Sequence, residues 1–487
     1  MSIENFITNL RKNRDIIISV DGNNLKILDP QENLTYDIIE EIKAKKEEIL
    51  EFYKNIKLRN DSHSIGIIEK AKLNSFYALS SAQNRLYFLY ELDKTSLAYN
   101  MPVILKFEGK IDKQKFNDTF KKLIKRHESL RTSFEVVNGK PVQKISDQVE
   151  FEVQSYRSNE ETVDDIIKEF IKPFDLSNAP LIRVGLIEIS SLKHILVVDM
   201  HHIITDGTSQ RVLLKDFMAL YNNAEPEDLR IHYKDYVEWY ISELNQEKLL
   251  GQREYWLSKL SGEIPVLNLP IDYDRIQNQK NEADIISIEI AKDDTKSLKT
   301  FLTKHSDVTI FNFLIAAYNV LLSRLCNQDD IIVGCPVVNR PHIELEKTIG
   351  LFLNTLPLRN FPDKNKNFNA FLHEVKESTL DAFQNQDYQY EDMVGELKLN
   401  RNLNRNPLFD TFFNFLNLEQ EEVQKFNDLT VEPYDDIQST ITKFDIAVDR
   451  PMTNAQGQRE VDFIPIVTFS KLAETCGNYL NKGRLIA

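Results

Sequence analysis

The chain has 487 residues, more than one hydrophobic core usually organises, so its length predicts two or three domains. Hydrophobic residues at 42% and charged residues at 28% are a globular balance, and only 14 Gly and 16 Pro exclude long low-complexity linkers. Lys and Arg number 60 against 75 Asp and Glu, a net charge of −15 that repels a polyanion and argues against nucleic acid as a partner. Cys326, Cys335 and Cys476 are too few for a disulfide framework, and none belongs to a C-x-x-C pair, so no metal site is expected and a cytoplasmic location fits. The first residues lack a basic stretch followed by an apolar run, so no signal peptide is expected. The most apolar long segment, 310–325, carries Asn312, Asn319 and Arg324 and reads as a buried helix, not a membrane span.

In chain order, residues 1–56 read as a small module. Residues 3–13 have helical apolar spacing, 15–20 are β-branched and extended, and Asp21-Gly22-Asn23-Asn24 is turn chemistry leading into 25–28. Residues 34–53 place Ile38, Ile42, Ile49 and Tyr53 on one helical face. A two-stranded hairpin in so small a module leaves an edge that accepts another strand. Residues 57–75 are polar and mixed and read as a linker.

From residue 79 helices and strands alternate. Asp112 is placed to cap a helix bearing Phe116, Phe120, Leu123 and Ile124, and HILVVDM (194–200) reads as a central strand. A second α/β set begins near Asp284 and includes the strand at 331–333, with 267–274 as the crossover. This predicts two α/β lobes, 76–266 and 267–487.

The densest chemical cluster is HHIITDG, 201–207, just after the strand ending at Met200. Side chains that follow a strand end enter a crevice, and adjacent histidines in extended chain face opposite ways. One of His201 and His202 is then structural, and the other meets substrate. A neutral imidazole accepts a proton near working pH, whereas Asp206 suits an ion pair better. Gly207 allows close backbone approach and opens a helix with Thr208 or Ser209 as its cap. Metal binding would need a different His spacing. No glycine-rich phosphate loop, G-x-S-x-G elbow or Cys–His pairing is found, which points to non-covalent, cofactor-free transfer.

HHIITDG resembles the HHxxxDG signature of nonribosomal peptide synthetase condensation domains. Six further segments resemble that family's motifs in order: SSAQNRLYFL (80–89), RHESLRTSF (126–134), YKDYVEW (233–239), IGLFLNTLPLR (349–359), NQDYQYE (385–391) and RNPLF (405–409). Heterocyclising relatives replace the histidines with aspartates, epimerising relatives diverge at the fifth motif, and the alcohol acyltransferase branch carries a DFGWG segment not found here. The remaining context leans towards an L-configured donor.

The resemblance implies two chloramphenicol-acetyltransferase-like lobes in a V-shaped pseudo-dimer, with a tunnel between them. A donor and an acceptor carrier protein then feed thioesters on phosphopantetheine arms towards His202, and the chain itself binds no cofactor. By the same analogy His202 is the critical histidine, either as base or by positioning the amine. Gly207 would offer a backbone N–H to the oxyanion, and Asp206 would be structural, paired with Arg340. Residues 1–60 resemble the amino-terminal docking domains of tubulysin-type synthetases. This implies that a carboxy-terminal docking peptide of an upstream synthetase adds a strand beside Ile16, Ile17, Ile18 and Val20, or beside Leu25 and Ile27. After Asp445 the family plan is followed loosely, with a strand expected at 463–469 and a helix at 472–480. No adenylation or carrier signature follows, so an excised piece of a longer enzyme is expected. Two other readings stay open: an idle condensation fold serving as a docking platform, and an acyltransferase with a soluble amine acceptor.

Overall fold

The computed structural model describes residues 68–270, 292–305, 307–399, 405–415 and 429–434, the strands at 17–21, 24–28, 284–290, 424–426, 446–450 and 462–468, and residues 35, 38, 39, 42, 43, 45, 46 and 48. The chain forms two compact units, Met1–Ile68 and Glu69–Ala487, with the boundary inside the 57–75 segment read as a linker.

In the first unit the β-branched run forms the strand Ile17–Asp21, which pairs antiparallel with Asn24–Leu28. Ile17 lies opposite Leu28, Ile18 opposite Ile27 and Val20 opposite Leu25. Of the amphipathic helix, Ile38 and Ile42 are buried one turn apart, as their spacing requires. The expected helix at 3–13, Ile16, Ile49 and Tyr53 lie outside the described residues.

The second unit holds two six-stranded sheets. In the first, the order is Gln424–Phe426, Leu429–Pro433, Val103–Glu108, Lys193–Met200, Ile182–Ser190 and Gln154–Arg157. Lys193–Met200 is interior to the sheet and buried from His194 onward, which is why its apolar run is continuous and not alternating. Asp112 caps the helix Lys113–Arg126 by accepting from the Lys115 N–H at 3.0 Å. That helix buries Phe116, Phe120, Leu123 and Ile124. The Phe116 ring lies 4.9 Å from Phe217 on the helix Gly207–Tyr221 and 6.0 Å from Phe107 on the sheet.

The second sheet runs Asp284–Ile290, Asp462–Thr468, Ile446–Arg450, Thr411–Phe415, Ile331–Val338 and Leu353–Asn360. The helix Ile310–Cys326 starts in a reciprocal cap between Thr309 and Asn312, stops at Asn327 in the left-handed conformation, and buries Ile315 and Leu322. The strand expected at 463–469 is Asp462–Thr468, and the helix expected at 472–480 lies outside the described residues.

Two strands depart from the division at residue 267. Gln424–Phe426 and Leu429–Pro433, both from the second half of the sequence, join the first sheet, where Leu429–Pro433 pairs with Val103–Glu108, Val431 opposite Phe107. Tyr434 follows it, donating its hydroxyl to Asp164 at 2.7 Å and packing on the Val163–Ile167–Phe170 cluster. The backbone groups of Val103–Glu108 on that side require a partner, and the chain supplies one from far away in sequence.

Phe116→Ala removes a fully buried ring that four aromatic neighbours surround. Its expected loss is about 3–5 kcal/mol, read as a lowered denaturation midpoint; an unchanged midpoint would show that this core does not limit stability.

Candidate active site

The strand Lys193–Met200 ends at the histidine pair. His201 is still extended (φ −78, ψ 134), but its neighbour begins a short 3-10 turn, His202–Ile204. The two rings therefore part because the chain turns, not because an extended strand alternates. His201 is 5% exposed and its Nδ1 accepts the Ile203 N–H at 3.1 Å. His202 is half-buried, and its Nδ1 lies 2.8 Å from the Thr205 carbonyl oxygen. A carbonyl only accepts, so Nδ1 of His202 carries the proton and the neutral ring keeps its lone pair on Nε2. The pair is thus held in opposite tautomers, with only His202 presenting Nδ1–H to the backbone.

Asp206 is wholly buried and is the cap of Gly207–Tyr221, where the sequence pointed to Thr208 or Ser209. A carboxylate at this position reaches the Ser209 N–H at 2.7 Å, and its charge suits the positive end of the helix. Its Oδ1 also accepts from Arg340 Nη2 at 3.2 Å, and its Oδ2 from the Phe352 N–H at 3.0 Å. The predicted Asp206–Arg340 pair is therefore present, with both side chains nearly inaccessible. Arg340 further donates to the carbonyls of Leu345 and Thr348 and to Ser209 Oγ, and lies 4.1 Å over the Phe352 ring. Burial lowers its pKa, and Asp206 opposes that effect.

Gly207 is the first residue of a 15-residue helix, so its N–H has no acceptor within the helix. A Cβ there would meet nothing within 4 Å, so the glycine relieves no clash with the protein. Gly350 is the contrary case: a Cβ would lie 2.0 Å from the Tyr233 ring. Tyr233 donates its hydroxyl to the Leu351 carbonyl at 2.6 Å and stands 2.9 Å from Ser80 Oγ.

Several of the other motif segments are tied to one another and to the histidine turn. Gln83 Nε2 donates to the Ile203 carbonyl at 3.2 Å, Ser129 Oγ to the Ile349 carbonyl at 2.6 Å, and Ser209 Oγ to the Gly350 carbonyl at 2.9 Å. Asn354 Nδ2 donates to the carbonyls of Gln386 and Tyr388, and its Oδ1 accepts the Tyr390 N–H. Tyr233 and Ser129 had no chemistry of their own in the sequence, and only their places within the motifs marked them, while Ser209 stood there as a candidate helix cap. Ser81 Oγ donates to Asp392 at 2.9 Å and Arg85 pairs with Glu391 at 3.1 Å, joining the helices Ser81–Leu92 and Tyr390–Leu397. Burial pushes the Asp392 carboxyl up to about 6.

Two mixed sheets, flanked by helices, carry a turn-held imidazole after an interior strand, and a buried ion pair cross-braces the two halves. The condensation domain family matches residues 74–461, and the TubC N-terminal docking domain family matches residues 3–55. The chain belongs to the condensation-domain family and carries a TubC-type docking domain at residues 3–55. It is 43% identical over 382 residues to bacitracin synthase 3 of Bacillus licheniformis and 44% over 383 residues to tyrocidine synthase 3 of Brevibacillus parabrevis. Each match covers 78% of this chain but 6% of the relative, so the chain spans a small part of those synthases. The X-domain from teicoplanin biosynthesis shares the fold, with a TM-score of 0.76 at 21% identity over 84% of this chain and 95% of that one. Condensation domains are amide-forming acyltransferases that act on carrier-bound substrates. Among the described residues no helix is long and apolar enough to cross a membrane.

Arg340→Ala leaves the Asp206 carboxylate buried without its cation, and the expected loss is about 3–5 kcal/mol, read by thermal or denaturant unfolding. Asp392 gives a pH dependence of defined sign. Its folded pKa of about 6 lies above the ordinary 3.8, so between those values the folded state binds more protons than the unfolded one. Its contribution to stability therefore falls as pH rises from about 4 to about 6. Asp392→Asn should remove that fall, so the variant's Tm should gain on the parent's across this window. Parallel Tm–pH curves would contradict the assignment.

Proposed function

We propose that this chain joins a donor aminoacyl or peptidyl thioester to an acceptor aminoacyl thioester, both carried on phosphopantetheine arms, with an L-configured donor residue. The observation that carries this reading is the His202 tautomer: Nδ1–H fixed on the Thr205 carbonyl, which makes Nε2 the basic nitrogen of the neutral ring. The acceptor amine attacks the thioester carbon, the C–N bond forms, and the C–S bond breaks as the donor thiol leaves. Nε2 accepts the amine's hydrogen bond and takes its proton as the tetrahedral intermediate forms, then returns a proton to the departing sulfur. The Gly207 N–H, at a helix start whose dipole favours negative charge, serves the oxyanion. His201 supports the turn, and Asp206 with Arg340 fixes the helix start and takes no part in proton transfer.

By the same reading two carrier proteins dock on the condensation unit, whose lobes divide near residue 267. An upstream synthetase's carboxy-terminal peptide adds a strand to the hairpin at Ile16, Ile17, Ile18 and Val20, or at Leu25 and Ile27. Support comes from the family match at 3–55 and from the hairpin, a sheet of two strands among the described residues. A cytoplasmic setting suits the buried free thiols of Cys326 and Cys335.

Reconstitution with loaded donor and acceptor carriers tests the reading. The parent chain should form the dipeptidyl thioester, and His202→Ala should lower turnover at least about 100-fold; full activity of that variant removes the role of His202. No product from the parent would favour the idle docking fold, and equal rates with a free amine would favour a soluble acceptor. Gly207→Ala should fold with an undiminished Tm, since its methyl meets nothing within 4 Å, yet turn over at least about tenfold more slowly because the methyl crowds an oxyanion approaching the residue 207 N–H. Unaltered turnover would show that the reacting atoms lie elsewhere.

A further inference from the structure

Behind the histidine pair lies a buried polar cluster that the reaction scheme above does not use. Asp199, on the strand Lys193–Met200 and two residues before His201, is wholly buried. Across the ladder it faces Arg183, whose Nη2 lies 2.8 Å from Asp199 Oδ2. The same Oδ2 accepts from Asn100 Nδ2 at 2.8 Å. Asn100 also donates to the Lys172 carbonyl at 3.0 Å, as Arg183 does to the carbonyls of Lys172 and Pro173.

Two routes lead from this cluster to the histidines. The first is backbone. Met101 N–H donates to the Met200 carbonyl at 2.8 Å, Asn100 bridges His201, and His202 N–H donates to the Tyr99 carbonyl at 2.8 Å. Residues 99–101 thus extend the Val103–Glu108 ladder just far enough to hold both histidines, and the Asn100 amide ties that extension to Asp199. The second route runs through rings. The Arg183 guanidinium lies 3.8 Å over the Phe174 ring, and Phe174 meets the His201 ring edge-on at 6.1 Å.

A buried carboxylate, a partly buried guanidinium and an amide are a demanding solution if the only need is to end a strand, since apolar side chains would do that without desolvating charges. What the polar cluster supplies is direction: each hydrogen bond has one acceptable geometry, and it fixes where residues 99–101 lie. We propose that Asn100, anchored by the Asp199–Arg183 pair, is a positioning residue for the condensation reaction. It holds the Tyr99 carbonyl under the His202 N–H and so aims the His202 imidazole. The proposal rests on His202 being the reacting histidine. Asn100 touches no substrate in this scheme. It acts through the backbone of residue 202 and is therefore not itself a catalytic residue.

The test is a double-mutant cycle in the full chain, with loaded donor and acceptor carriers, using Asn100→Ala, His202→Ala and the double variant. Asn100→Ala deletes the tie to Asp199 without opening the apolar core. The expected result is a fall in kcat of at least about tenfold with the apparent KM for both carriers within about twofold, because orientation is lost and binding is not. In the His202→Ala background the same substitution should change the residual rate by less than about twofold, since the group it aims is already gone. Asn100→Asp, whose carboxyl must share Asp199's site with a second negative charge, should not restore the rate, whereas Asn100→Gln, which keeps the amide donor, should restore part of it.

The inference is overturned if Asn100→Ala keeps kcat within twofold while His202→Ala abolishes turnover. It is equally overturned if the loss is undiminished in the His202→Ala background, or if it vanishes when rates are compared at equal distance below each variant's Tm. A His202→Ala variant with full activity refutes the parent reading instead, so the two failures are told apart.

Discussion

The buried carboxylate of Asp206 is the contact on which the arrangement of the site depends. It takes one hydrogen bond from the start of its own helix, one from the Arg340 guanidinium and one from the Phe352 backbone. The first partner belongs to the half of the unit that carries the histidines, and the other two to the half that carries the second sheet. A charge in so dry a place is tolerable only when nearly every lone pair is engaged, and the three donors meet that condition together. Removing any one of them strands the rest. The ion pair thereby sets where 340–352 lies against 206–209, a relation that apolar packing alone would leave free to slide.

The surrounding contacts obey the same logic of close approach. Gly350 has no side chain because the Tyr233 ring occupies the space a Cβ would need, and Ser209 reaches the Gly350 carbonyl across that gap. At Gly207 the case is opposite, since a Cβ there would meet nothing within 4 Å. The two glycines cannot be told apart in the sequence, and the structure separates them by what stands beside each one.

Much of the fold was legible from the residues. The unbroken ILVV run announced an interior strand, and Asp112 with its apolar periodicity announced a capped helix, because period and capping are local properties. The Asp206–Arg340 pair was legible only through the resemblance, since 134 residues separate the partners and no local pattern links them. The cap at Gly207 was misassigned to Thr208 or Ser209 because capping propensity alone cannot rank an aspartate that an ion pair has already placed. The parting of the two histidines came from a turn and not from strand alternation, a matter of φ and ψ after Met200 that composition does not encode. Asn100 gave no signal at all: its importance lies in a carboxylate 99 residues away.

The return of Leu429–Pro433 to the first sheet has a consequence for biosynthesis. The ladder partner of Val103–Glu108 on that side leaves the ribosome about 320 residues after the strand it must cover. Until then the nascent chain displays hydrogen-bonding groups with nothing to satisfy them, next to a growing apolar layer. The first sheet therefore cannot mature during translation of its own half, and separately expressed halves would each inherit an open edge prone to self-association.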